Sequence, residues 1–110
     1  MNEMLEGRDD NFEQILSSHD LVLADFWAEW CIPCKQLDPV MKKLVGDGVT
    51  VVKLDADDTP EISERYWVAG LPALLLFQKG VLIARRVGFV KVRPLREWIE
   101  RSVATFSQPA

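Results

Sequence analysis

Cysteine and histidine are scarce in this chain: of 110 residues, only Cys31 and Cys34 are cysteines and only His19 is a histidine. A zinc centre takes about four ligands, and beyond the cysteine pair only His19 and carboxylates are on offer, so neither metal nor cofactor is expected. Positive charge is also in deficit. Thirteen Lys and Arg face seventeen Asp and Glu, a net charge of −4, which argues against nucleic acid or an anionic membrane surface as partner, since both call for a basic face. No apolar run reaches the length of a membrane span, and the acidic N-terminus (MNEMLEGRDDNFEQ) has no signal-peptide hydrophobic region. A cytoplasmic protein is expected. Repeats, low-complexity tracts and Gly/Ser/Pro-rich linkers are missing as well. With 48% hydrophobic and 27% charged residues, residues 1–110 read as a single globular domain, expected to be a monomer, with a frayed tail from about residue 107. A chain of this length buries roughly 60–70% of its unfolded surface, enough for a core without structural disulfides.

The chain that is present alternates strand and helix signals. Asp10 followed by Glu13 reads as a capping pair before Phe12, Ile15 and Leu16 at helical spacing, and Ser17 to Asp20 reads as a polar turn. Leu21 to Trp27 is apolar on both faces, the mark of a central strand covered on each side. Leu37, Val40, Met41, Leu44 and Val45 then follow a helical pattern from Cys31 to the stop at Gly46 and Gly48, with Pro33 in the first turn and Pro39 inside. Val49 to Leu54 is a second strand, parallel to the first in a βαβ unit. Thr59 and Pro60 open a short helix as cap and first residue, ending near Tyr66. Ala73 to Phe77 and Val81 to Val87, joined through Gln78-Lys79-Gly80, predict an edge hairpin. Leu95, Trp98, Ile99, Ser102, Val103 and Phe106 mark the inner face of a closing helix. The fold class is α/β, a mixed sheet with helices on both faces.

Three readings compete for Cys31-Ile32-Pro33-Cys34: a metal site, two inert buried thiols, and a redox dithiol. Position favours the third, because the pair follows the carboxyl end of a central strand and opens a helix. Unpaired N–H groups and the helix dipole there stabilise a thiolate on Cys31, the attacking form. Cys34, one turn on, can attack a mixed disulfide on Cys31 and release the reduced substrate. Asp25 shares a strand face with Leu21, Leu23 and Trp27, so it is expected to be buried with a raised pKa. It reads either as a proton acceptor for Cys34 or as a structural carboxylate, and both stay open. Lys53 on the adjacent strand either pairs with Asp25 or reaches solvent.

Trp27 to Lys35 (WAEWCIPCK) resembles the active-site segment of the thioredoxin family. The likeness extends through Asp25-Phe26-Trp27, Pro39, Lys53-Leu54-Asp55, Tyr66, Val68-x-Gly70-x-Pro72, Phe77 to Gly80 and Val87-Gly88. The resemblance implies the thioredoxin fold and a protein-disulfide reductase cycling between a Cys31–Cys34 disulfide and two thiols. Protein disulfides would discharge it and a thioredoxin reductase would recharge it. It also implies Cys31 as nucleophile, Cys34 as resolving thiol, Asp25 as buried base beside Lys53, and a cis Leu71–Pro72 bond. Trp30, Ile32, Pro33, Gly70, Leu71, Pro72, Gly88 and Phe89 would form the substrate-docking rim. Ile32, Ala73, Phe89, Trp67 and Lys91 depart from the usual residues, the N-terminal strand shrinks to little more than Met4-Leu5, and the rim becomes more apolar. A second class of function is a client-binding or chaperone module on the same fold, in which the thiols are secondary.

Overall fold

The computed structural model describes residues 4–107. In chain order the elements are β1 (Met4–Glu6), α1 (Phe12–Ser18), β2 (Leu21–Trp27), α2 (Ile32–Val45), β3 (Thr50–Asp55), α3 (Pro60–Arg65), β4 (Ala73–Gln78), β5 (Val81–Val87) and α4 (Val92–Ser107). The five strands form one sheet in the order β1-β3-β2-β4-β5. β1 and β2 run parallel to β3, while β4 pairs antiparallel with β2 and β5 antiparallel with β4. β2 is thus central, which explains why residues 22–26 are all buried.

Side-chain alternation along β2 divides the core in two. Leu23 packs with Val51, Leu74 and Leu76 under Leu37, Met41 and Leu44 of α2 and Leu95 and Ile99 of α4. Val22, Ala24 and Phe26 face the other way, toward Phe12 and Leu16 of α1 and Ile62 of α3. On that second face Phe12, Tyr66 and Phe77 meet edge to face, with centroids 5.3–6.1 Å apart. Asp25 shares the face of Leu23 and therefore points to the α2 and α4 side.

The expected elements are all present, with shifted ends. The second strand begins at Thr50 rather than Val49 and runs to Asp55. β4 takes in Gln78, so the hairpin turn contracts to Lys79 and Gly80, both at positive φ (50° and 80°), as a two-residue turn between twisted strands requires. Ser17 and Ser18 belong to α1 rather than to a turn. Ser107 belongs to α4 rather than to a frayed tail, and residues 108–110 lie outside the described residues. Within α4, Leu95 and Ile99 are buried, but Phe106 is 44% exposed.

The cap expected for α1 is corrected, and the one expected for α3 holds by position but not by side chain. Asn11, not Asp10, precedes α1, and its Oδ1 accepts from Arg8 N rather than from the helix. Thr59 precedes α3 but turns away, its hydroxyl donating to Asp55 O at 2.9 Å. The first N–H groups of α3 go instead to Asp9: Ile62 N donates to Oδ1 at 3.0 Å and Glu61 N to Oδ2 at 3.3 Å. A carboxylate there also meets the positive end of the helix. Asp9→Ala should lower stability by about 1 kcal/mol, the usual worth of an N-cap. Urea unfolding would register this as a lower midpoint at unchanged slope.

Candidate active site

β2 ends at Trp27 and the chain turns through residues 28–31 into α2. Cys31 is the N-cap of α2, with an extended backbone (φ −95°, ψ 105°). Its sulfur accepts a hydrogen bond from Cys34 N at 3.3 Å, so a cysteine sulfur occupies the place where a capping oxygen usually sits. Pro33 in the first turn has no N–H to satisfy. The two cysteines are joined as a disulfide with Cα atoms 5.3 Å apart. Ala28 and the half-buried Trp27 and Leu71 pack around them. Cys31 keeps 5% of its surface exposed and Cys34 only 1%.

The Leu71–Pro72 bond is cis, and Pro72 is buried ahead of β4. Pro72 O accepts from Gly88 N at 2.8 Å, which ties the end of β5 to the proline. Gly88 has φ 102°, a conformation that favours glycine. Gly70 lies close to Val87, since a Cβ added there would stand 3.0 Å from Val87 Cγ1. Trp30, Ile32 and Phe89 are exposed, as large apolar groups rarely are without a partner. Trp30 is also oriented, its Nε1 donating to Asp57 Oδ2 at 3.1 Å. Trp67, just past α3, is exposed too and holds φ 58°, a strained choice for an aromatic residue. Among the described residues no group of three or more His, Cys, Asp or Glu side chains is placed to hold a metal.

Asp25 is fully buried, and neither carboxyl oxygen has a hydrogen-bond donor among the described residues. In the sheet it stands opposite Lys53 on one side and Leu74 on the other. Lys53 Nζ lies 4.0 Å from Asp25 Oδ2 but bonds directly to Asp38 Oδ1 from α2. The ammonium also lies 4.7 Å from the centroid of the Trp27 ring, a cation–π contact. Lys53 thus neither reaches freely into solvent nor pairs chiefly with Asp25. Burial pushes the Asp25 carboxyl up from 3.8 to about 7, with Lys53 pulling it down and Asp38 pushing it further up. Asp38 is the residue that sequence reasoning passed over. The available signal was its position four residues after Cys34, which puts both on one face of α2.

The Thioredoxin family model matches residues 3–101. The chain belongs to the thioredoxin family. A thioredoxin of Rhodospirillum rubrum is 38% identical over 104 residues, covering 91% of this chain and 100% of that one. A bifunctional thioredoxin reductase/thioredoxin of Mycobacterium leprae is 42% identical over 80 residues, 70% of this chain and 18% of that one. Among solved structures, a mutant thioredoxin from Halobacterium salinarum superposes with a TM-score of 0.86 at 34% identity, covering 91% and 90% of the two chains. The mixed sheet flanked by four helices is the thioredoxin fold. The protein is a thiol–disulfide oxidoreductase, a protein-disulfide reductase whose Cys31–Cys34 pair alternates between disulfide and dithiol. A client-binding module indifferent to its thiols is not favoured by a cysteine pair at bonding distance in this family.

The burial of Asp25 has a measurable consequence. An acid whose native value lies above its unfolded one destabilises the native state as pH rises between the two, because the unfolded chain releases its proton first. Asp25 therefore leaves stability untouched below about pH 4, and its cost grows between pH 4 and 7 to roughly 4 kcal/mol and then stays level. Asp25→Asn should match the wild type in denaturant midpoint near pH 4 and exceed it at pH 8. Equal midpoints at pH 8 would contradict the assignment.

Proposed function

We propose that Cys31 is the nucleophile and Cys34 the resolving thiol of a cytoplasmic protein-disulfide reductase, with Asp25 as the proton acceptor and Lys53 beside it. The observation that carries this division of labour is the hydrogen bond from Cys34 N to Cys31 Sγ at the start of α2. In the reduced protein the same N–H, with the helix dipole, favours negative charge on Cys31. The Cys31 thiolate attacks a substrate disulfide, forming a Cys31–substrate bond and expelling the first substrate thiolate. Cys34 then gives its proton to Asp25 and attacks Cys31. The Cys31–Cys34 bond forms, the Cys31–substrate bond breaks, and the second substrate sulfur leaves as a thiolate that takes up a proton. Two electrons pass from the dithiol to the substrate.

Trp30, Ile32, Pro33, Gly70, Leu71, Pro72, Gly88 and Phe89 are the proposed docking rim. The exposure of Trp30, Ile32 and Phe89 supports a surface that accepts extended apolar segments of partner proteins. A thioredoxin reductase is the proposed electron donor, a reading supported by the relative in which a thioredoxin reductase and a thioredoxin share one chain. One sheet carries both cores, which supports residues 1–110 acting as one domain. Both thiols come from the same chain, which supports a working monomer.

Reduction of insulin disulfides tests the assignment. Cys31→Ser should abolish turnover, and Cys34→Ser should accumulate a mixed disulfide on Cys31. In the reduced wild type, iodoacetamide should modify Cys31 well before Cys34. Mass mapping that found Cys34 modified first, or both at equal rates near neutral pH, would overturn the roles.

Ile32 supplies a separate prediction. A β-branched residue stiffens the loop that closes on disulfide formation and adds apolar bulk beside the attacking sulfur. Ile32→Gly should move the reduction potential measured against glutathione, about 30 mV corresponding to 1.4 kcal/mol. It should also broaden the set of clients held by a Cys34→Ser trap. Unchanged potential and clients would mark Ile32 as neutral.

A further inference from the structure

The Lys53 ammonium has two carboxyl neighbours and treats them unequally. It bonds to Asp38 of α2 and stands 4.0 Å from Asp25 of β2, although sheet register sets Lys53 and Asp25 side by side. Desolvation accounts for the choice. The Asp38 side chain is 42% exposed, so its charge keeps part of its hydration, whereas that of Asp25 has no exposure. A lysine between a cheap anion and an expensive one settles on the cheap one. The Trp27 ring under the ammonium helps to fix that geometry.

We propose that Asp38 is a positioning residue for Asp25: it claims the Lys53 ammonium and so withholds that charge from the buried carboxyl. The proposal rests on the reading of Asp25 as the proton acceptor and adds a residue that controls when it can act. Two effects run the same way. An ammonium held by Asp38 cannot close to a contact pair with Asp25, and the Asp38 charge itself opposes a second carboxylate nearby. The direction given above for Asp25, lowered by Lys53 and raised by Asp38, agrees with both.

Among the described residues, Lys53 and Asp38 are the charges that act on the Asp25 carboxyl. β4 presents Leu74 in register. Arg86 of β5 is opposite Leu74, but its guanidinium lies over the Trp98 ring of α4, 5.5 Å from the centroid. α2 contributes Asp38, and β3 contributes Lys53. Asp38 and Lys53 also line, with Trp27 and Asp55, a cleft of about 860 Å³. The pair that governs the buried acid is therefore open to solvent on one side, while the acid is not.

The test follows the Asp25 side-chain carboxyl carbon by NMR from pH 4 to 9 in the reduced wild type, Asp38→Asn and Asp38→Glu. Asp38→Asn keeps the shape and removes the charge, leaving Lys53 to Asp25. Its Asp25 midpoint should fall by about one pH unit, within the range an opposite charge at contact distance commands. Asp38→Glu, which keeps a carboxylate within reach of Lys53, should stay near the wild type. An unmoved midpoint in Asp38→Asn, or a Glu variant that shifts as far as the Asn one, overturns the proposal. Insulin reduction across pH is read on the same proteins, and its acid limb should follow the midpoint. If the midpoint moves and the limb stays, Asp38 governs Asp25 as proposed, and it is the reading of Asp25 as proton acceptor that fails.

Discussion

The central strand β2 carries a carboxyl group where packing alone would put a leucine. Asp25 shares a strand face with Leu23 and Trp27 and is bordered in register by Lys53 and Leu74, so it has no edge through which to reach water. Its oxygens find no donor among the described residues. The anion is therefore disfavoured by several kcal/mol relative to water, and the group holds its proton up to about pH 7. Much of the site follows from this constraint. A carboxyl that changes charge near neutrality can take a proton and return it, which one at its ordinary value could not do efficiently. The same strand that buries the acid leads directly into Cys31, so one backbone segment fixes both the buried acid and the cysteine pair.

Around that acid the charges form a graded series. Asp25 is buried, Lys53 is mostly buried and Asp38 is partly open to a solvent cleft. The cysteine pair is itself almost covered, Cys31 keeping slightly more surface than Cys34, with the exposed Trp30 and Ile32 next to Cys31 in sequence. The burial that raises the Asp25 carboxyl also weakens the fold at neutral pH. The hydrophobic contacts of α2 through Leu37, Met41 and Leu44 offset that weakness.

The sequence discloses this arrangement unevenly, and the pattern has physical causes. β2 is legible to the residue because a run apolar on both faces can only be central. The cysteine pair is legible because a strand end, a proline and a helix pattern coincide at it. The α3 cap is not, because Asp9 and Ile62 are 53 positions apart and no local rule links them. Thr59 looks like the cap by identity and position, yet its hydroxyl finds a nearer acceptor in Asp55 O. Asp38 is the instructive omission. An aspartate on a helix reads as solvated, and only the return of β3 alongside β2 brings Lys53 to it. Lys53 itself was read as either paired with Asp25 or solvated, and the structure adds a third choice that needed the missing partner.

The central claim is that Asp25 accepts the proton of Cys34 during resolution. Single-turnover reduction of a peptide disulfide, with the released peptide thiol followed from pH 5 to 9, isolates that step in the wild type and Asp25→Asn. The account predicts that the wild-type resolution rate rises through a one-proton step near pH 7, and that Asp25→Asn is slower and lacks that step. Superimposable rates and pH profiles for the two proteins would contradict it.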